Sequence, residues 1–101
     1  MSSSGPESRP GLARDVRVTA DSLTVDLSDG RTITAPLAWF PRLLDGSPAE
    51  RSNWRLIGQG EGIHWPDLDE DLSVEGLLEG LPSNESKASL ERWLQGRRRA
   101  G

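Results

Sequence analysis

Residues 23–35 constrain the fold of this chain more tightly than any other stretch. Leu23, Val25 and Leu27 alternate with Thr24 and Asp26, and Ile33 and Ala35 alternate with Thr32 and Thr34. A period of two puts each apolar set on one face of an extended strand. Between the two runs lies Ser28-Asp29-Gly30-Arg31. Asp-Gly between alternating apolar runs is a strong hairpin signal, because Gly accepts the positive φ such a turn needs. Val16 and Val18 add a third alternating run upstream. The pattern predicts a three-stranded antiparallel meander at about 15–36.

Downstream of Pro36 the period changes. Trp39, Phe40, Leu43 and Leu44 recur at helical spacing, with Pro41 limiting the helix and Gly46 ending it. Ser47-Pro48 is a good N-cap and first-turn pair for a second short helix to about Asn53. Trp54, Leu56 and Ile57 read as a fourth strand. Ile63-His64-Trp65 return as a short fifth strand stopped by Pro66, after the connection Gly58-Gln59-Gly60-Glu61-Gly62. Ser73 caps the next helix, in which Val74, Leu77, Leu78 and Leu81 share one face. A last helix at about 85–95 carries Leu90, Trp93 and Leu94 on one side, and Gly96 ends it. The expected fold class is α+β: a small antiparallel sheet, made of a three-stranded meander plus a short hairpin, packed with two or three short helices and a C-terminal helix. Residues 1–14, rich in Ser, Gly, Pro and Arg, are expected to be disordered. The compact domain is expected at 15–82, and a C-terminal amphipathic helix with a basic end at 83–101.

Composition narrows the function classes. The chain has 101 residues and no cysteine, so disulfides and thiolate metal sites are impossible. A domain this small buries roughly 60% of the surface its unfolded chain exposes, leaving little room for a deep substrate cavity. Met1–Arg14 has no apolar core and is not expected to act as a signal peptide. No stretch approaches the ~20 apolar residues of a membrane span. A cytoplasmic location is expected. From Asp15 to Pro82 there are thirteen acids and five bases, a balance of −8, while the last nineteen residues carry +3. An acidic body repels phosphate backbones, so direct nucleic-acid contact is not expected.

The segment GIHWPDLDEDLSVEGLLEG, Gly62 to Gly80, resembles the signature of a small bacterial family known as domain of unknown function 2442. Leu23 to Thr32, Pro41-Arg42-Leu43, Ala49-Glu50-Arg51 and Trp54 fit it as well. The resemblance covers roughly residues 15–81. It implies a compact α+β domain with a small antiparallel sheet, and it does not imply an enzyme. It also implies a possible setting: some members look like neighbours of a second small protein in apparent toxin–antitoxin gene pairs, and some are fused to helix-turn-helix domains. The C-terminal extension here, about one helix long, is too short to be such a DNA-binding unit.

Each candidate site has a bland reading beside it. Asp67, Asp69 and Asp71 at alternate positions open like an EF-hand loop. That loop needs Gly at its sixth position and Glu at its twelfth, where this chain has Leu72 and Leu78. No metal site is therefore expected. Asp69, Glu70 and Asp71 are read instead as preceding a helix N-terminus, where negative charge is favourable. His64 is the lone histidine. Alternation puts it opposite Ile63, facing solvent or the acidic loop, with a contact to Asp67 or Asp69 plausible. No G-x-S-x-G elbow accompanies it. Gly58-x-Gly60-x-Gly62 resembles a phosphate loop but leads into a strand, not a helix, so a hairpin connection is favoured. Many carboxylates without a cleft give no basis for glycoside hydrolysis. Trp39, Trp54 and Trp65 are assigned to the core or its rim. Trp93 either packs back on the domain or meets a partner. Arg97, Arg98 and Arg99 are read as a solvated end.

The expected function is a non-catalytic protein-interaction domain with no cofactor, with the antitoxin-like or regulatory partner of a small, basic neighbouring protein as its expected setting. Asp67, Asp69, Glu70, Asp71, Leu90 and Trp93 are the candidate partner-binding residues. The alternative is a small-ligand binder or hydrolase-like enzyme using His64 and nearby carboxylates. A homo-oligomer, through an exposed sheet edge or through Leu90 and Trp93, is a third reading.

Overall fold

The computed structural model describes residues 11–100, with backbone alone for 99 and 100. It contains two three-stranded antiparallel sheets sharing one apolar core. The first is the meander: β1 (Ala13–Val18), β2 (Ser22–Leu27) and β3 (Thr32–Pro36), in the order β1-β2-β3. Val25 pairs with Val16 on one side and Ile33 on the other. Leu23, Val25 and Leu27 are buried, as the alternation requires. At the hairpin Gly30 has φ 93°, and Asp29 accepts the Arg31 N–H at 3.1 Å.

β1 begins two residues before the meander was expected, inside the segment read as disordered. Backbone pairing is the reason. The Ala13 N–H donates to the Gly60 carbonyl at 2.8 Å, and the Ser28 N–H donates to the Leu12 carbonyl at 2.7 Å. The rest of that segment, residues 1–10, lies outside the described residues.

A 3₁₀ turn (Leu37–Trp39) leads into α1 (Pro41–Asp45) and α2 (Pro48–Ser52). Phe40 and Leu43 are buried, whereas Leu44 points outward and Trp39 sits at the rim, 38% exposed. Pro41 breaks the chain into two short pieces here, so no single helical face can bury all four residues. Ser47 caps α2 by accepting the Glu50 N–H, while the Glu50 carboxylate accepts the Ser47 N–H. That reciprocal capping box satisfies two end donors at once.

The second sheet comprises β4 (Arg55–Ile57), β5 (Gly62–Trp65) and β6 (Glu70–Ser73), in the order β4-β5-β6. The glycine run is the β4–β5 turn. Gly60, at φ 114°, packs on β1 so closely that a Cβ would lie 2.6 Å from the Ala13 carbonyl oxygen. The expected hairpin is therefore part of a three-stranded sheet. β6 is the addition: Glu70 and Asp71, read as a loop before a helix, are strand residues. The turn that makes this possible is Pro66–Asp69, with Asp69 at φ 51°. Leu68 is pinned in the core there, its N–H donating to the Trp65 carbonyl.

Ser73 caps α3 (Val74–Leu78) by accepting the Gly76 N–H at 2.9 Å. The helix stops one turn short of the apolar period, with Gly80 at φ 75°, and Leu81 is left 54% exposed. α4 (Lys87–Ala100) starts later than expected and runs through Gly96. The core unites both sheets with α1 and α3, and its largest fully buried members are Trp65 and Phe40. The Trp65 indole N–H donates to the Arg51 carbonyl, so even this polar edge is satisfied. No helix among the described residues is long and apolar enough to cross a membrane.

Candidate functional site, an acidic cleft along β6

The register of the second sheet sorts the acidic run residue by residue. Residues directly opposite in an antiparallel pair share a face. Trp65 opposes Glu70 and Ile63 opposes Leu72, while His64 opposes Asp71. Since Ile63 and Trp65 are in the core, Glu70 and Leu72 face inward, and Asp71 faces outward beside His64.

The four acids consequently diverge. Asp67 accepts a hydrogen bond from the Asn53 side-chain amide at 2.9 Å. Asp69 is largely exposed, and its carbonyl accepts from Arg42 Nη1 at 2.9 Å. Asp71 contacts His64 Nδ1. This replaces the Asp67 or Asp69 contact expected for the imidazole, because strand pairing brings Asp71 directly opposite it. Glu70, grouped by sequence with the surface acids, turns toward the interior. Its Oε2 is buried and has no hydrogen-bond partner among the described residues.

Glu70 lies at a cleft of about 530 Å³. Among the described residues, the acids that line this cleft are Asp69, Glu70, Asp71 and Glu85, and the base is Arg42. Phe40, Leu72, Leu77 and Leu81 supply its apolar lining. Burial pushes the Glu70 carboxyl up to about 7, and Arg42 opposes that shift without cancelling it. Arg42 itself is already engaged. Its Nε donates to Glu85 Oε1 at 2.9 Å, and both side chains are nearly buried, 14% and 13% exposed. The hydrogen bond to Glu85 raises the guanidinium pKa, and that to Arg42 lowers the Glu85 carboxyl.

Behind this pair sits the C-terminal helix. Trp93 packs against the core, and Arg42 and Arg97 each lie 4.8 Å from its ring centroid. Arg97 donates to Asp45 and to Glu50, both at 2.9 Å. Its hydrogen bond with Glu50 raises the Arg97 pKa and lowers the Glu50 carboxyl. So Arg97 is tied down, whereas it was read as part of a solvated end. Leu90 is half-buried on the same helix. Of the six candidate partner-binding residues, the cleft brings together Asp69, Glu70 and Asp71; Asp67, Leu90 and Trp93 lie outside it.

Sequence reasoning missed three residues at and behind the site, Arg42, Glu50 and Glu85, and it missed the inward turn of Glu70, which it had grouped with the surface acids. Glu70 had a local signal, since it shares strand parity with Leu72. Glu50 had one too, standing three residues after the Ser47 cap. Arg42 and Glu85 had none, being 43 residues apart. His64 is not among the residues lining the cleft, and it lies across the sheet from Glu70. Among the described residues, no group of three or more His, Cys, Asp or Glu side chains is placed to hold a metal ion.

Comparison with known proteins bears on identity. The curated proteins contain no match. Among solved structures, a crystal structure of a protein of unknown function from Rhodospirillum rubrum is 32% identical, with a TM-score of 0.66. The match covers 79% of this chain and 96% of that one. A solution structure of an uncharacterised protein from Chromobacterium violaceum is 22% identical, with a TM-score of 0.62 and coverage of 80% and 75%, and shares the fold. The family model described as Protein of unknown function (DUF2442) matches residues 13–83, a span that takes in both sheets and α1 to α3 and stops before α4. With that span matched, the chain belongs to the DUF2442 family.

Proposed function

We propose that this is a non-catalytic protein-interaction domain that binds a small basic protein, acting as its regulatory or antitoxin-like partner in the cytoplasm. One observation carries the reading. The cleft beside β6 gathers the carboxyl groups of Asp69, Glu70 and Glu85 around the Arg42 guanidinium, which bonds Glu85 and lies 3.4 Å from the Asp69 carboxylate. Among the described residues of the cleft, one cation faces these three carboxyl groups and cannot neutralise them all once Glu70 ionises, and an apolar wall adjoins them. A lysine or arginine stem resting on Leu77 and Leu81, with its charged head toward Asp69 and Glu70, fits that combination. Complementary charge would also speed encounter. Against the enzyme alternative stands the placement of His64, which meets Asp71 but does not line the cleft and lies across the sheet from Glu70.

The test is capture from cells at low and high salt, using the whole chain and an Asp69→Asn, Asp71→Asn variant. The reading expects one small basic protein, recovered at low salt and lost in the variant. Recovery of no basic protein at low salt, or recovery indifferent to the variant, would end it.

A further inference from the structure

We infer that the outer edge of β6 is a strand-addition site for an extended segment of a protein partner in which basic residues alternate with apolar ones. This rests on the interaction reading above and adds the mode of binding and the pattern of the ligand.

β6 is the last strand of its sheet. The Val74 N–H donates to the Glu61 carbonyl at 2.9 Å, which marks that pair as hydrogen-bonded. Antiparallel ladders alternate bonded and non-bonded pairs. Leu72 and Glu70 therefore turn their backbone groups toward β5. Asp71 turns its N–H and C=O away from the sheet, as Ser73 does its N–H. Among the described residues, no backbone group meets these outward donors and acceptor. The segment across the cleft does not, since the Ser83 N–H is spent on the Trp39 carbonyl. At the other end, Arg42 already bonds the Asp69 carbonyl, so the open edge runs from Asp71 to Ser73.

Space is available on both sides of this edge. Asp71, Leu72 and Ser73 line the acidic cleft, and they also line a second depression of about 430 Å³ that contains Ile57 and Gly62. A strand laid along β6 would send alternate side chains to opposite faces. Those level with Glu70 and Leu72 enter the acidic cleft and must be basic. Those level with Asp71 and Ser73 share the face of Ile57, which stands level with Ser73 through Gly62 and is exposed, and an apolar side chain suits the Ser73 position. Backbone pairing of this kind supplies affinity while the alternate pockets supply specificity.

Charge also selects among occupants. A second copy pairing antiparallel about Leu72 would set Asp71 opposite Ser73 and diagonal to its own counterpart, with the two acidic runs side by side. Like charges held that close on one face of a sheet repel one another. A basic strand relieves that repulsion and a self-pair creates it.

The probe is a capped peptide of alternating lysine and valine, compared with the same peptide N-methylated on its backbone and with a glutamate–valine peptide. Each is titrated into the full chain and followed by amide NMR and hydrogen exchange. The expected result is slowed exchange at Asp71 and Ser73 with the first peptide, about tenfold weaker binding after N-methylation, and none for the acidic peptide. Equal binding of the methylated peptide, or binding without protection of those two amides, would overturn strand addition and leave the charge-based reading standing. No binding by either lysine peptide, and none by a lysine-rich helical peptide run alongside, would remove both.

Discussion

The second sheet and the C-terminal helix meet on opposite sides of Arg42, and they are held by different physics. Trp65, Ile63 and Leu68 are fully buried, and strand pairing satisfies the backbone around them. α4 instead docks through one half-buried indole, two guanidinium groups beside it and carboxylates from α1 and α2. Apolar burial is insensitive to salt and punishes cavities, whereas exposed ion pairs are weak and screened. The sheet should therefore behave as part of the folding unit, and α4 as an arm that loosens first.

The strongest way to break this contrast is Trp65→Ala. It should cost about 3–5 kcal/mol in chemical denaturation and remove the hydrogen bond to Arg51. If the loss were under about 1 kcal/mol, the second sheet would not belong to the core.

Arg42→Ala comes next. It leaves Glu85 with only the Ser89 hydroxyl as a partner and Glu70 without its nearby cation, and should cost about 2 kcal/mol. Tryptic cleavage after Lys87 and Arg92 should quicken in the same variant, reporting release of α4. Unchanged cleavage would mean that the arm is held without Arg42.

Glu70 sharpens the comparison through pH. Its folded pKa of about 7 lies above the ordinary 4.5, so between those values the folded chain holds a proton that the unfolded chain has lost. Stability contributed by the neutral carboxyl is fully present below about pH 4.5 and falls as pH rises through 7. Allowing for partial solvent access, the loss should be about 1 kcal/mol. Glu70→Gln should flatten that fall and be the more stable protein above pH 7. Parallel stability curves for the two would show that Glu70 is solvated.

Arg97→Ala should have the smallest effect on global unfolding, about 0.5 kcal/mol. Its signature should be local: faster amide exchange in α4, imitated in the parent by raising salt. Salt-independent exchange throughout α4 would show that Trp93 burial, not charge, holds the arm.

Legibility followed the range of each interaction. The meander, the Ser47 and Ser73 caps and the glycine turn all rest on residues within a few positions of one another, and each was readable. α3 ended early because Gly80 adopts a left-handed conformation that the apolar period at Leu81 does not register. α4 outran its expected stop because Gly96 stayed helical. The cleft was less visible. Its acids were noticed as a run of charge, but a run of charge does not say which member turns inward.

By itself, the amino-acid order determined an acidic, cysteine-free α+β domain with a β1–β3 meander and short capped helices, because periodicity, turn chemistry and capping act locally along the chain. Only the tertiary structure decided that Glu70 faces the interior, that Asp71 meets His64, and that Arg42 joins Glu85 beneath Trp93. Those outcomes depend on the register of β6 against β5 and on contacts across tens of residues, where packing rather than local sequence chooses the partner.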